Sequence, residues 1–364
     1  MIGLALSGGG SRAIAFHLGC LRALHDLDLL KKVQVLSTIS GGSIIGAYYA
    51  YSPNKSFEEF DVDIQKILRE GLQRQIATEL FQGDNFFRGT SRYAKFMLAN
   101  LWSKLVSSDI RSLRYPTRTD MFHSYLNRNL FKGLKLESER RENIDIVIGA
   151  TELRTGSAFR FGNEKSGSYR YGELVKNTID VSLAVAASAA YPLLLPSIER
   201  DWKFIRNGIE KEHRIMLTDG GVYDNLGTQV LEPERDKSIS IHTYDLKGII
   251  ACNAGAGLEA GDGYPQSYVS RVTKAFELIH RRVQDASMNR LHVLRREGRL
   301  NAFIMPYLGQ KDVQLPFKPM DLVPRDEVAN YPTNFAPMKD HWIEKLSKRG
   351  EQLTRLLVSQ YFSL

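Results

Sequence analysis

Cysteine is nearly absent from this chain: Cys20 and Cys252 are the only two among 364 residues. Two thiols are too few for a zinc site or a disulfide scaffold, and they fit a reducing compartment or no redox role. Long apolar runs are missing as well. No uncharged apolar stretch approaches the ~18 residues that a membrane-spanning helix needs. The opening Met1-Ile2-Gly3-Leu4-Ala5-Leu6 has neither the basic flank nor the cleavage site of a secretory signal. Internal repeats and low-complexity linkers are also lacking. What is present is ordinary for a folded protein, with 43% hydrophobic and 25% charged residues, so disorder and collagen-like structure are excluded. Charge is the one imbalance: 49 Lys+Arg against 41 Asp+Glu give a net +8, which suits nucleic acid, anionic lipid or neither. The length would allow two or three domains, although single α/β domains of this size are common.

The first fifty residues read as a βαβα unit. Ile2–Leu6 is a short buried strand, Ser7-Gly8-Gly9-Gly10-Ser11 a turn, and residues 12–30 a helix with Ile14, Leu18, Leu21, Leu24 and Leu27 on one face. Val33–Ile39 is a second strand, followed by Ser40-Gly41-Gly42-Ser43 and a helix over 44–51. Two strands joined by a helix imply a parallel pair, so both turns lie at the carboxyl edge of one sheet, where open α/β folds place their sites. Residues 53–142 read as a helical insertion or cap, rich in Arg, Lys and aromatics. Strand patterns return at 144–150, 157–161, 214–218 and 247–252. Small residues over 183–190 suggest a helix, and long helices are expected over 270–296 and 344–362.

Three loops carry chemistry. Gly8, Gly9 and Gly10 stand between a strand and a helix N-terminus, where free N–H groups and the helix dipole favour an anion. A dinucleotide or an oxyanion fits there. The dinucleotide reading needs an acid at the end of the second strand, and Leu36-Ser37-Thr38-Ile39-Ser40 has none. Thr38-Ile39-Ser40-Gly41-Gly42 matches the G-x-S-x-G elbow except for Thr38, and makes Ser40 a better nucleophile than Ser37 or Ser43, the latter expected to cap the helix. A serine hydroxyl needs a positioned base. Of the eight histidines none falls in a strand-end loop: His17 reads as structural, and His213 and His242 lie in charged, exposed-looking stretches. Asp219 instead ends an apolar strand before Gly220 and Gly221, which brings its carboxylate to the same edge as Ser40.

With these blocks in place, the sequence resembles the patatin-like phospholipases over nearly its whole length. Gly8-Gly9-Gly10-Ser11-Arg12 resembles the family's oxyanion motif with its basic residue. Thr38-Ile39-Ser40-Gly41-Gly42 resembles its nucleophile elbow. Ala187-Ser188-Ala189-Ala190-Tyr191-Pro192 resembles its A-S-x-A-x-P segment, and Asp219-Gly220-Gly221 its D-G-[GA]. The departures are Ala13 and Thr38, both small. The resemblance implies an α/β, three-layer αβα fold with a mostly parallel central sheet, one domain over 1–364, a helical insertion at about 53–142 and a C-terminal helical region at about 268–364. It also implies a Ser40–Asp219 dyad with Ser40 as nucleophile and Asp219 as proton acceptor, Gly8, Gly9 and Gly10 as oxyanion hole, and Thr38, Gly42, Gly220 and Gly221 as motif positions. No cofactor or metal is implied. Arg12 adds positive potential, steers a phosphate headgroup or forms a surface salt bridge.

The implied substrate is a phospholipid or lysophospholipid, hydrolysed at a carboxylic ester by a cytoplasmic protein that visits membranes. The competing readings are a catalytically silent lipid-binding relative and a Rossmann-type nucleotide-binding protein. Ala94, Met97, Leu98, Leu101, Trp102 and Leu105 share one face of a helix expected over 92–106, which suits a lid, a membrane anchor or a core helix. The final helix, with Leu353, Leu356, Leu357, Tyr361 and Phe362, is expected to dock on the core. The basic run over 270–299 has a solvated face or an anionic membrane as its partner, and without a nucleic-acid-binding motif no nucleic acid is expected.

Overall fold

The computed structural model describes residues 1–72, 117–192, 194–257 and 266–362. The helix expected over 92–106, and residues 73–116 of the insertion expected over 53–142, lie outside them; the described ends of that insertion carry helices, as expected.

Ten strands form one sheet: β1 (Ile2–Leu6), β2 (Val33–Ile39), β3 (Asp145–Glu152), β4 (Ser157–Gly162), β5 (Ser166–Ser168), β6 (Gly172–Leu174), β7 (Ile198–Arg206), β8 (Ile209–Asp219), β9 (Gly248–Cys252) and β10 (Ala302–Ile304). The helices that position the site are α1 (Gly10–Asp26), α2 (Gly41–Ala50), α3 (Phe57–Glu70), α4 (Arg118–Leu126), α5 (Val181–Ser188), α6 (Tyr268–Arg296) and α7 (Asp340–Tyr361). The fully apolar, fully buried β1 and β9 need cover on both faces, which is the condition for parallel pairing.

The expectation of a mostly parallel sheet is corrected. Strands β10, β9, β1, β2 and β3 do pair in parallel in that order. From β3 onward every pairing is antiparallel, and β8 returns to pair with β3, so that β3 to β8 close into a ring. The cause is local. Asn207 and Gly208, with φ of 51° and 77°, make the two-residue turn that hairpins β7 onto β8. Between β3 and β4 the buried Glu152 carboxylate accepts the Thr155 N–H at 2.7 Å and the Met216 N–H at 3.1 Å, tying that hairpin to β8. Such short connections cannot support the helical crossover that parallel strands require. Phe159, Phe161, Trp202 and Phe204 of these strands pack together with Tyr171 of the β5–β6 turn, and the Phe159 and Phe161 centroids are 4.8 Å apart.

Helix α1 lies buried between the sheet and α7. Gly19 and Gly350 let the two backbones touch: a Cβ on Gly19 would overlap the Ser347 carbonyl, and one on Gly350 the Phe16 carbonyl. Ile343, Leu346, Leu353 and Leu356 bury the inner face of α7, while Tyr361 stays exposed. Among the described residues no helix is long and apolar enough to cross a membrane.

Candidate active site

Ser40 stands at the carboxyl end of β2, where Ile39 pairs with Gly149 of β3. Its φ of 51° and ψ of −118° lie in territory that a side-chain-bearing residue rarely occupies, and α2 starts at the next residue. Strain of this kind persists only where the surroundings enforce it. Here the Ser40 N–H donates to Ser188 Oγ at 2.9 Å, and Gly42 packs directly on the Leu6 carbonyl. Ser43 does not cap α2. Its hydroxyl bonds Ser188 Oγ at 2.8 Å, so Ser188 ties the elbow together from the facing helix. Thr38, in place of the usual glycine, is fully buried within β2 and is accommodated because Gly46 of α2 faces its methyl group.

Asp219 reaches the same place by a route opposite to the expected one. Strand β3 runs three residues beyond the last β2 pairing, and β8 descends antiparallel along that extension until Asp219 pairs with Ala150. The A-S-x-A-x-P segment holds the descent in register. Ala190 O accepts the Asp219 N–H at 3.0 Å and the Thr218 hydroxyl at 2.8 Å, and Ser188 O accepts the Gly220 N–H at 3.1 Å. Gly220 packs on the Gly149 carbonyl. Asp219 is 4% exposed. Burial pushes its pKa up from 3.8 to about 7, against the opposing pull of the Gly221 N–H, 2.7 Å from Oδ1, and of the Ser40 hydroxyl.

Beside the elbow lies the glycine loop. Gly9, with φ of 142°, and Gly10, with φ of 59°, take conformations that favour glycine, and the Gly10 backbone rests against Gly41. The three N–H groups are not equivalent. That of Gly8 is engaged by the Asn225 carbonyl at 3.0 Å, whereas those of Gly9 and Gly10 take no main-chain acceptor among the described residues. The next N–H along is engaged as well: Asn334 O accepts that of Ser11 at 2.8 Å. Arg12 forms no salt bridge among the described residues. Its Nε donates to Ala254 O at 3.0 Å and its Nη1 to Tyr331 O at 2.9 Å, clamping two distant loops onto the glycine turn while burial lowers its pKa to about 10.

Beneath the loop, His17 Nε2–H donates to Ser7 O at 2.9 Å, a supporting role. One ring nitrogen of His17 and the thiols of Cys20 and Cys252 lie within 4.8 Å of one another, so both cysteines of the chain meet here, buried. His242 is buried, not exposed, and is pushed down to about 3 chiefly by that burial. His280, on α6, does come near the site: its Nε2 would stand 3.3 Å from a Cβ on Gly221, and it hydrogen-bonds that residue's backbone. From sequence, Ser188 of the A-S-x-A-x-P segment is expected to serve the helix turn beside the site, but its bonds to the elbow are not foreseen, and Asn225, His280 and Asn334 are given no role. The Ser188 signal is its place in that segment. Asn225 closely follows the Asp219-Gly220-Gly221 motif, whereas His280 and Asn334 come from segments with no motif of their own.

Taken together, a strained serine, a buried carboxylate of raised pKa and free N–H groups at a helix start can perform nucleophilic acyl transfer with oxyanion stabilisation. A family model described as patatin-like phospholipase matches residues 4–231. No curated protein matches the sequence. Among solved structures, human GIVD cytosolic phospholipase A2 aligns with a TM-score of 0.56 at 13% identity, covering 99% of this chain and 59% of that one. The same human protein in complex with methyl gamma-linolenyl fluorophosphonate aligns with a TM-score of 0.55 at 15% identity, covering 99% and 58%. At such identities the likeness shows a shared fold, and this chain spans less than two thirds of the length of those proteins.

Proposed function

The chain belongs to the patatin-like phospholipase family, and from that premise we propose that it is a lipid acyl hydrolase working through a Ser40–Asp219 dyad and an acyl-serine intermediate. The observation that carries the reading is the pairing of a strained, 7% exposed serine with a carboxylate held near neutrality by burial. A base with a pKa close to the operating pH combines availability with proton affinity, which is what deprotonating a serine hydroxyl demands.

In the proposed sequence, Asp219 takes the Ser40 proton as Oγ attacks the ester carbonyl. The Gly9 and Gly10 N–H groups receive the developing oxyanion, each donor worth about 3–4 kcal/mol in such sites. Collapse expels the alcohol, which takes the proton back from the Asp219 carboxyl, and water then clears the acyl-Ser40 ester with Asp219 again as base. No cofactor is needed for either half. Gly8, whose N–H is engaged, shapes the loop, and Arg12 supports it through the carbonyls it clamps. Thr38, Gly42, Gly220 and Gly221 supply close packing and, at Gly221, the N–H that orients the base.

We assign the substrate class to phospholipids or lysophospholipids cleaved at a carboxylic ester, as in a phospholipase A or lysophospholipase, within one catalytic unit that carries a helical insertion. The protein acts from the cytoplasm as a peripheral visitor to anionic membrane. Exposed Tyr268, Leu278 and Ile279 beside Arg271 and Arg282 on α6 support such contact. Ser40→Ala is the decisive variant. It is expected to lose at least about 10⁴-fold in ester hydrolysis while keeping its circular dichroism, as removal of a nucleophile does. Fluorophosphonate labelling that survives in Ser40→Ala, or maps to Ser43 or Ser188, refutes the assignment.

A further inference from the structure

One further side chain joins all three loops. After Asp219 the chain makes a single helical turn, Gly221–Asp224, and Asn225 follows. Its carbonyl accepts the Gly8 N–H at 3.0 Å. Its carboxamide Oδ1 lodges where Gly8 and Gly221 meet: a Cβ on Gly8 would strike it, and one on Gly221 would stand 2.6 Å from it. The same Cβ on Gly8 would lie 3.2 Å from Ser40 Cβ, and that on Gly221 2.9 Å from Asp219 Oδ1. The carboxamide thus sits beside the oxyanion loop, the nucleophile and the base at once, and the residue is 9% exposed.

Its position is fixed from behind. The buried Asp224 carboxylate accepts the Gly227 N–H at 3.1 Å and the Gln229 N–H at 2.9 Å, so the backbone around Asn225 is held on both sides. A carboxamide carries two N–H donors. Those of Asn225 bond no described residue, and they are not among the polar atoms sealed from solvent without a partner. With Oδ1 against Gly8 and Gly221, the two N–H donors are carried on the other side of the carboxamide. A donor that is nearly buried, pre-positioned and without an acceptor among the described residues suits a ligand that brings the acceptor.

We propose that Asn225 is a catalytic residue, donating a side-chain N–H to the ester oxygen as it becomes the tetrahedral oxyanion, a third donor beside Gly9 and Gly10. This rests on the Ser40–Asp219 reading and adds to it a group that the glycine loop alone does not supply.

The test compares the wild type with Asn225→Ala and the isosteric Asn225→Asp, using a p-nitrophenyl ester and a fluorophosphonate. Loss of one oxyanion donor predicts a fall of about 10²–10³-fold in kcat with KM changed less than about twofold. Phosphonylation of Ser40 slows in parallel, because the phosphonyl oxygen takes the oxyanion's place. A purely structural role lowers Tm and raises KM without that parallel. Asn225→Asp keeps the shape of the side chain, so it decides the matter if the alanine variant unfolds. A kcat within threefold of wild type in Asn225→Asp, or a kcat loss that leaves phosphonylation unchanged, overturns the proposal. Wild-type protein that neither hydrolyses the ester nor takes the probe overturns the dyad reading and this one with it. An active wild type with unaffected Asn225 variants overturns only the role of Asn225.

Discussion

Replacing Asp219 by Asn is predicted to abolish hydrolysis and at the same time to stabilise the fold, increasingly so as pH rises. Burial lifts the Asp219 pKa from 3.8 to about 7. A group whose pKa is higher folded than unfolded favours the folded state below its unfolded value, and that advantage is lost as pH climbs through the folded value. Above neutrality the native state therefore bears the full cost of an ionised, desolvated carboxylate. A shift of roughly three units corresponds to about 4 kcal/mol at pH 8, falling to about 2 kcal/mol at pH 5 where the folded carboxyl is already neutral. Asparagine keeps an oxygen for the Gly221 N–H but never ionises, so it escapes the cost at every pH. For a chain of this length each kcal/mol moves Tm by about 1–1.5 °C, so Asp219→Asn gains about 5 °C at pH 8 and about half that at pH 5. Differential scanning fluorimetry across pH 5 to 8 measures this directly. A gain that stays constant or shrinks toward alkaline pH would show that the carboxylate is not held near neutrality, and the argument for its role as base would go with it.

In wild-type protein, kcat/KM rises with pH through an apparent pKa near 7 as Asp219 ionises, read from initial rates with a neutral, water-soluble ester; a limb near pH 4 refutes a raised base. Ser188→Ala leaves the Ser40 N–H without its acceptor, an unsatisfied buried donor costing ~1–3 kcal/mol. Its kcat falls about tenfold while fluorophosphonate still labels Ser40, as rate measurements and intact-mass spectrometry would show. Arg12→Met removes two charge-assisted bonds to Ala254 and Tyr331 and is expected to cost ~2–4 kcal/mol. Faster amide exchange confined to 254–257 and 331–336 would confirm the clamp, and unchanged exchange there would discard it.

The sequence was most legible where one residue type answers one local demand. Strands β1 and β2 announce themselves as short apolar runs, and the glycines after β1 and around Ser40 mark turns that only small residues can make. The ring formed by β3 to β8 was not legible as a ring. Its hairpin signal, Asn207-Gly208, sits among charged residues such as Glu210, Lys211 and Glu212, whose exposure hides the strand periodicity. That ring changes how Asp219 arrives, although its endpoint beside Ser40 is the one expected. Arg12 was open to several readings because its acceptors are backbone carbonyls far along the chain, which no side-chain pattern encodes. Asn225, Ser188 and His280 share that obscurity, since each acts through contacts that exist only once the loops have assembled.

The family signature ends at residue 231, but the molecule does not come apart there. Strand β9 covers the edge of β1 opposite β2, α7 roofs α1 through the Gly19 and Gly350 contact, and Asn334, Tyr331 and Ala254 hold the glycine loop in place. Every motif that carries the family resemblance thus lies in the first two thirds of the chain, and the last third holds those motifs together. A fragment cut at 231 keeps Ser40 and Asp219 yet leaves a sheet edge and a helix face bare. Such a fragment is suited to sticking to its neighbours, and an expression trial trimmed to the signature would return aggregate from a sequence that holds every residue of the proposed dyad and oxyanion hole.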